Sequence, residues 1–327
     1  MQGPVNEGSF ARSPPSRPCE LMLDGETFTD LAVDQVVALC PMTLITIGHR
    51  TTYHYAEPVT LGPHRMMLRP RESRDVHLLS HDLVIEPAAD ISWTSDVAGN
   101  AIATATFSNA TDTLTIDSIS TVRLYADQWP VFDIAASAIS YPFAYAPDER
   151  ADLGALAIPG YVDDAGRLAA WTRAFILGNS TDTLSLLKDI SNGIASSIFY
   201  QSREDEGTQG PLETLDRGWG SCRDLALLFV EAVRTLGIGA RIVSGYLHDA
   251  DGQQVGSAGA GSTHAWAEIF LPGAGWITFD PTNRSVGGFN LIPVAVARDI
   301  RQVVPVAGSF TGRGPAFLEV SVSLCAS

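Results

Sequence analysis

The chain has 327 residues, room for one large or two ordinary domains, and 45% of them are apolar, enough to bury a substantial core. A formal net charge of −16 repels phosphate backbones and argues against a nucleic-acid partner. Acidic residues are scattered rather than gathered into a tail, and no apolar run approaches the ~18 residues of a membrane span, so no membrane partner is expected.

Four cysteines, Cys19, Cys40, Cys222 and Cys325, are too few and too unpatterned for a disulfide scaffold. No basic stretch followed by an apolar run opens the chain, so no secretory signal is visible. A cytoplasmic location is therefore the expectation, and a reducing compartment keeps a thiol free.

Residues 1–41 differ from the rest of the chain. GSFARSPPSRP is loop-like, and the stretch to Cys40 carries only a weak helical pattern. The first strong strand begins at Met42, which leaves two readings open: Met42 as the native start, or 1–41 as a genuine extra segment.

Residues 42–127 read as a β-rich domain. TLITIGHRTTYHY is β-branched and aromatic and is expected to end at Pro58. HLLSHDLVIEP alternates, placing Leu79, Leu83 and Ile85 on one face. AIATATF and TLTIDSISTVRLY repeat the theme between turn signals at Gly62-Pro63 and Gly99-Asn100, as in an antiparallel sandwich. Residues 128–161, rich in Pro, Tyr and Ala, read as a linker pinned by its aromatics to a neighbouring surface.

From about 162 to 327 the pattern becomes α+β. Leu168, Trp171, Ala174 and Phe175 share a helical face. TLSLLKDISNGIASSIF is a second helix, with Asp182 as its cap. The clearest helix comes after Cys222: Leu225, Leu228, Phe229, Ala232, Val233 and Leu236 recur at helical spacing and Gly237 stops it. Three strands come next, RIVSGYL, HAWAEIF and WITFD. The SAGAGS stretch between the first two lacks phosphate-loop context and reads as a loop.

Cys222 ends Gly218-Trp219-Gly220-Ser221-Cys222 at the start of that helix. Unpaired N–H groups and the helix dipole favour a thiolate there, and the Cys222 N–H is available to a developing oxyanion. His264 opens HAWAEIF, placed to take the thiol proton and return it to a leaving amine. Asp280 ends GWITFD. The short turn Leu271–Gly275 makes these strands a hairpin, so His264 and Asp280 become neighbours and the carboxylate can orient the ring. The alternatives are a buried inert cysteine, a structural histidine and a turn-capping aspartate ahead of Pro281.

Arg223 pairs with a carboxylate or shapes the cleft. Asp224 suits the helix dipole. Trp219, Trp266 and Trp276 are either cleft walls or core. His77 and His81 lack a third ligand, His49 and His54 point to opposite faces, and no metal or other cofactor is expected.

GWGSCRDLALLFVEAVRTLGIGARIVSGYL and THAWAEIFLPGAGWITFDPTN closely resemble the bacterial transglutaminase-like superfamily. The chemistry-bearing residues fall in separate blocks in the order Cys, His, Asp. HRTTYHYAEPVTLGPHRMMLRPR resembles that family's bacterial N-terminal β region, and FYQSREDEGTQGPLETLDRG resembles the segment ahead of its cysteine. The resemblance spans about residues 42–325.

It implies a papain-like α+β core behind a sandwich-like β domain, and a thioester formed on Cys222. An upstream residue, Tyr200 or Gln209, would help the oxyanion site. No acidic calcium loop is present. Three activities remain open: a cysteine peptidase or amidase acting on a peptide or protein amide, a transglutaminase passing the same acyl group to an amine, or a binding module on the same fold. Oligomeric state is not readable.

Overall fold

A computed structural model describes residues 22–23, 26–27, 43–202, 207–249, 252–256, 261–313 and 316–326. The chain divides into two units, 1–41 and 42–327. In the first, Met22–Leu23 pairs antiparallel with Glu26–Thr27. The remaining expectations for residues 1–41, and most of the loop expected at 257–262, lie outside the described residues.

The second unit opens with β1 (Thr43–Leu61), β2 (His64–Met66), β3 (Val76–Glu86), β4 (Asp90–Ser95), β5 (Ala101–Thr106) and β6 (Thr111–Leu124). β6 lies between β1 and β3, and β2 and β4 flank β5, all antiparallel. Residues from both sheets, including Tyr55, Val59, Met66, Ile85, Ala105 and Leu114, form one apolar cluster between them, which is the sandwich-like arrangement.

Two details differ from the expectation. β1 does not end at Pro58 but continues to Leu61, and its pairing with β6 shifts register between His54 and Val59. Proline lacks the N–H that a ladder needs, and this irregular stretch is where a strand tolerates it. Leu79 does not share a face with Leu83 and Ile85. A bulge between Leu78 and Ser80 inserts one extra residue and reverses the alternation, leaving Leu79 44% exposed while Ile85 is buried.

Among the described residues, five α-helices follow: α1 (Pro147–Leu153), α2 (Arg167–Arg173), α3 (Thr183–Ser197), α4 (Pro211–Arg217) and α5 (Cys222–Thr235). Asp182 caps α3 by accepting from the Ser185 N–H at 2.7 Å. α5 stops at Leu236, and Gly237 takes the left-handed conformation with φ 76°. α1 and α4, both opened by proline at the first turn, give no clear periodicity because each is only seven residues long.

The sheet of the α+β core contains β9 (Ala240–His248), β10 (Gly261–Leu271), β11 (Gly275–Asp280), β12 (Ser285–Val286) and β13 (Leu291–Ala297). Short β7 (Phe199–Tyr200) and β8 (Trp219–Gly220), which precede α5, pair parallel with each other. The sheet order is β12–β11–β10–β9–β13, entirely antiparallel. α5 packs against β9 and β10, and α2, α3 and α4 pack against α5. Covered in this way, residues Asp224 through Arg234 of α5 are all buried.

β14 (Ala316–Ala326) returns from the C-terminal end to pair with β1 over its length. The largest apolar cluster among the described residues joins Ile45, Val76, Val122 and Leu124 to α3, α5 and the sheet of the α+β core. The fold is therefore α+β, a sandwich-like β region continuous in its packing with an α+β core. Between them, residues 128–161 are held by Tyr145, whose hydroxyl accepts from Gly239 N–H and donates to the Phe270 carbonyl.

Candidate active site

The loop into α5 is shaped by two glycines. Gly218 closes α4 at φ 68°, a conformation that disfavours other residues. At Gly220 an added Cβ would lie 2.9 Å from the Asp224 Cβ, so the elbow admits no side chain. Asp224 fastens it. One carboxylate oxygen accepts from the Ser221 N–H at 2.8 Å and the Ser221 hydroxyl at 2.9 Å, and the other accepts from the Gln209 N–H at 2.7 Å. Asp224 is wholly buried, and these bonds satisfy donors at the helix start.

Cys222 is thereby held half-buried at the first position of α5. On the neighbouring hairpin, β10 and β11 pair Ala267 with Phe279, which carries Asp280 past the ladder toward His264. The Asp280 carboxylate and His264 Nε2 lie 2.8 Å apart. The same carboxylate accepts from the Thr282 N–H at 2.9 Å and from the Asn283 side-chain N–H at 2.9 Å. His264 Nδ1 is buried without a hydrogen-bond partner, while the imidazole and the Cys222 thiol are near enough to shift each other's protonation. Nδ1 is thus the ring nitrogen left for the sulfur. Trp266 stacks behind the ring at 6.2 Å between centroids.

The charges reinforce one another. Burial alone would push the thiol pKa of Cys222 up, yet the His264 imidazole, the Ala265 N–H and the Arg223 charge together hold it below its ordinary value. Burial likewise opposes a charged His264, but Asp280 and Cys222 raise its pKa to about 10. Asp280, despite burial, is held below its usual range by His264, Asn283 and the Thr282 N–H. The arrangement favours a thiolate–imidazolium pair backed by a carboxylate.

Tyr200, paired with Gly220 across β7 and β8, lies beside this group. Its phenol is pushed up to about 12 by burial and by Cys222. Gln209 sits differently. Its amide nitrogen is directed at the Trp219 carbonyl at 3.4 Å and at Asp224 at 3.5 Å, so it braces the elbow from behind. Trp219 is half-buried on β8 with Arg217 5.3 Å over its ring. Trp266 belongs to a core cluster and Trp276 stacks under Arg241. Among the described residues no group of three or more His, Cys, Asp or Glu is disposed to hold a metal ion. His77 approaches Glu72 and His81 bonds Ser120, on opposite sides of the Leu79 bulge.

Comparison with known proteins agrees with this architecture. A profile of the transglutaminase-like superfamily matches residues 169–281, and one of the bacterial transglutaminase-like N-terminal region matches residues 45–123. The chain is 31% identical over 297 residues to the uncharacterized protein Rv2569c of Mycobacterium tuberculosis, spanning 85% of this chain and 91% of that one. This chain belongs to the transglutaminase-like superfamily.

A second relative within the same reach is ML0607 of Mycobacterium leprae, 26% identical over 296 residues, covering 86% of this chain and 99% of that protein. Among solved structures, a candidate cysteine protease from Cytophaga hutchinsonii shares the fold with a TM-score of 0.66 at 20% identity, over 87% of this chain and 91% of its own.

Two residues take roles at the site that the sequence reading did not assign them. Asp224 reads as a helix-dipole residue, yet it ties Gln209 to the elbow. Asn283, three residues past Asp280, drew no reading from the sequence. Its side chain bonds Asp280 and also accepts from the Val255 N–H at 2.8 Å, joining the 252–256 segment to the site. Spacing from Ser221 hinted at the first through the S-x-x-D pattern of a capping box, whereas the second is a long-range contact.

Proposed function

We propose that the protein is a cysteine-dependent amide-bond hydrolase in which Cys222, His264 and Asp280 act as a catalytic triad. The observation that carries this reading is the half-buried thiol at the head of α5, coupled to an imidazole whose far nitrogen meets Asp280 at 2.8 Å. The thiolate attacks the carbonyl carbon of a peptide or protein amide. The oxyanion that develops is met by the Cys222 N–H, which a first-turn position leaves free of intrahelical bonding, and by the Tyr200 hydroxyl. Imidazolium donates its proton to the departing amine. Water, deprotonated by the neutral ring, then hydrolyses the thioester.

Asp280 holds the ring orientation and offsets its positive charge. A reducing compartment such as the cytoplasm suits a nucleophile that works as a free thiol. Acyl transfer to an amine shares every step up to the thioester. A binding-only role is disfavoured because Tyr141 and Tyr145 bond near the C-terminal end of α5, about 20 Å of helix away from Cys222 at ~1.5 Å per residue, so this stretch does not fill the cleft.

Product analysis of glutamine-containing peptides, with and without an added primary amine, tests the reading. Cleaved or deamidated product that disappears in Cys222→Ala is expected. Amine-linked product as the main species replaces hydrolysis with transamidation, and product formation unchanged in Cys222→Ala removes the nucleophile.

A further inference from the structure

Beside Cys222, His264 and Asp280 lies a cavity of about 340 Å³ walled by Tyr200, Leu225, Gln253, Gln254, Thr282 and Arg284, among others. Two of its wall residues connect it to the reacting groups. Leu225 stands one turn along α5 from Cys222, and Thr282 donates its N–H to the Asp280 carboxylate. Its volume suits a side chain or a short acyl chain, at the small end of ligand sites.

Thr282 points to a ligand. It is only 7% exposed, and its Oγ1 has no hydrogen-bond partner. A buried hydroxyl without a partner is destabilising, so a partner supplied from outside the chain would recover the lost interaction. Of the other polar side chains in the wall, Asn283 is committed to Asp280 and Val255, and the rest can donate: the phenol of Tyr200, the carboxamides of Gln253 and Gln254, and the guanidinium of Arg284, which has donors alone.

Arg284 is anchored by a bond from Nη2 to the Ala195 carbonyl at 3.1 Å, and its backbone sits at φ 56°. It is the one formally charged side chain among the described residues of the wall, and it is positive in a chain of net charge −16. Donors converging with a guanidinium match a carboxylate better than a neutral amide.

We propose that this cavity is the acyl-donor subsite and that it takes a carboxylate, so the preferred substrates are amides whose acyl portion carries an acidic group close to the scissile carbonyl. The proposal rests on Cys222 as nucleophile for its place in a reaction, but the subsite can be measured without turnover.

Binding of glutaramate, which has one carboxylate and one amide, and of neutral glutaramide is measured by titration calorimetry on the Cys222→Ala protein. Glutaramate is expected to bind about tenfold more tightly, as a charge-assisted pair implies. Arg284→Gln, a change at an exposed side chain, should abolish that preference without moving the melting temperature, and Thr282→Val should weaken glutaramate several-fold. Equal affinities, no binding by either probe, or a preference that survives Arg284→Gln overturns the proposal. Iodoacetamide labelling of Cys222 in the wild type separates the two ideas. A labelled thiol with no carboxylate preference sinks the subsite alone, whereas an unlabelled thiol with the preference intact sinks the nucleophile and leaves an anion site.

Discussion

Asp280 receives four polar hydrogens: from His264, from the Thr282 and Asn283 backbones, and from the Asn283 side chain. The role of Asn283 is to position Asp280 and to hold Val255. Asn283→Ala is expected to lower kcat by about tenfold or more, since small misplacements of reacting groups are costly, while Cys222 alkylation persists. Loss of alkylation together with activity would show instead that the substitution collapses the site. Neighbourhood of His264 and Asp280 was legible in the sequence because a hairpin with a short turn dictates it. Asn283 to Val255 was not, because that contact depends on how a loop of 28 residues' separation folds back.

The helix that carries Cys222 contains an ion pair remote from the thiol. Glu231 and Arg234 are each about 1% exposed, and their side chains meet at 2.6 Å. Glu231 also accepts from the Gly160 and Tyr161 N–H groups, and Arg234 donates to the Leu156, Ala240 and Arg298 carbonyls. Arg234→Met strands a buried carboxylate and should destabilise the protein by about 3–5 kcal/mol in urea unfolding. Arg50, 62% exposed and paired with Asp117, should cost under about 1 kcal/mol when replaced by Met. Equal losses at the two positions would contradict this weighting. The apolar stripe of α5 was readable from spacing. Its burial on the opposite side was not, because short α4 carries too little periodicity to announce itself, and Glu231 and Arg234 look like surface charges until paired. The bulge at Leu79 escaped for a related reason, since a single inserted residue leaves the composition of a strand unchanged.

Across the unit of residues 42–327, packing joins segments far apart in sequence. Ile45 and Val122 of the sandwich-like region share a core with Leu186 and Phe229, and β14 from the C-terminal end completes the sheet begun by β1. A fragment of residues 162–327 would expose that apolar surface and leave β14 without its partner. It is expected to unfold without a cooperative thermal transition, whereas residues 42–327 are expected to melt as one unit, as calorimetry would reveal. A sharp, reversible transition in the fragment would show that the two regions are independent. The change of pattern near residue 162 was visible in the sequence, but shared burial across it was not, because apolar positions do not name their partners.

The central claim is that His264 turns Cys222 into a thiolate below the ordinary thiol range, and the pH dependence of Cys222 alkylation by iodoacetamide, followed by intact mass, tests it most directly. A thiol whose pKa is lowered exists as thiolate above that lowered value, so labelling should stay rapid well below pH 9.0, the ordinary value for cysteine. In His264→Ala the profile should move upward toward that value. A Cys222 that resists labelling at every pH, or one that titrates normally whether or not His264 is present, would contradict the account.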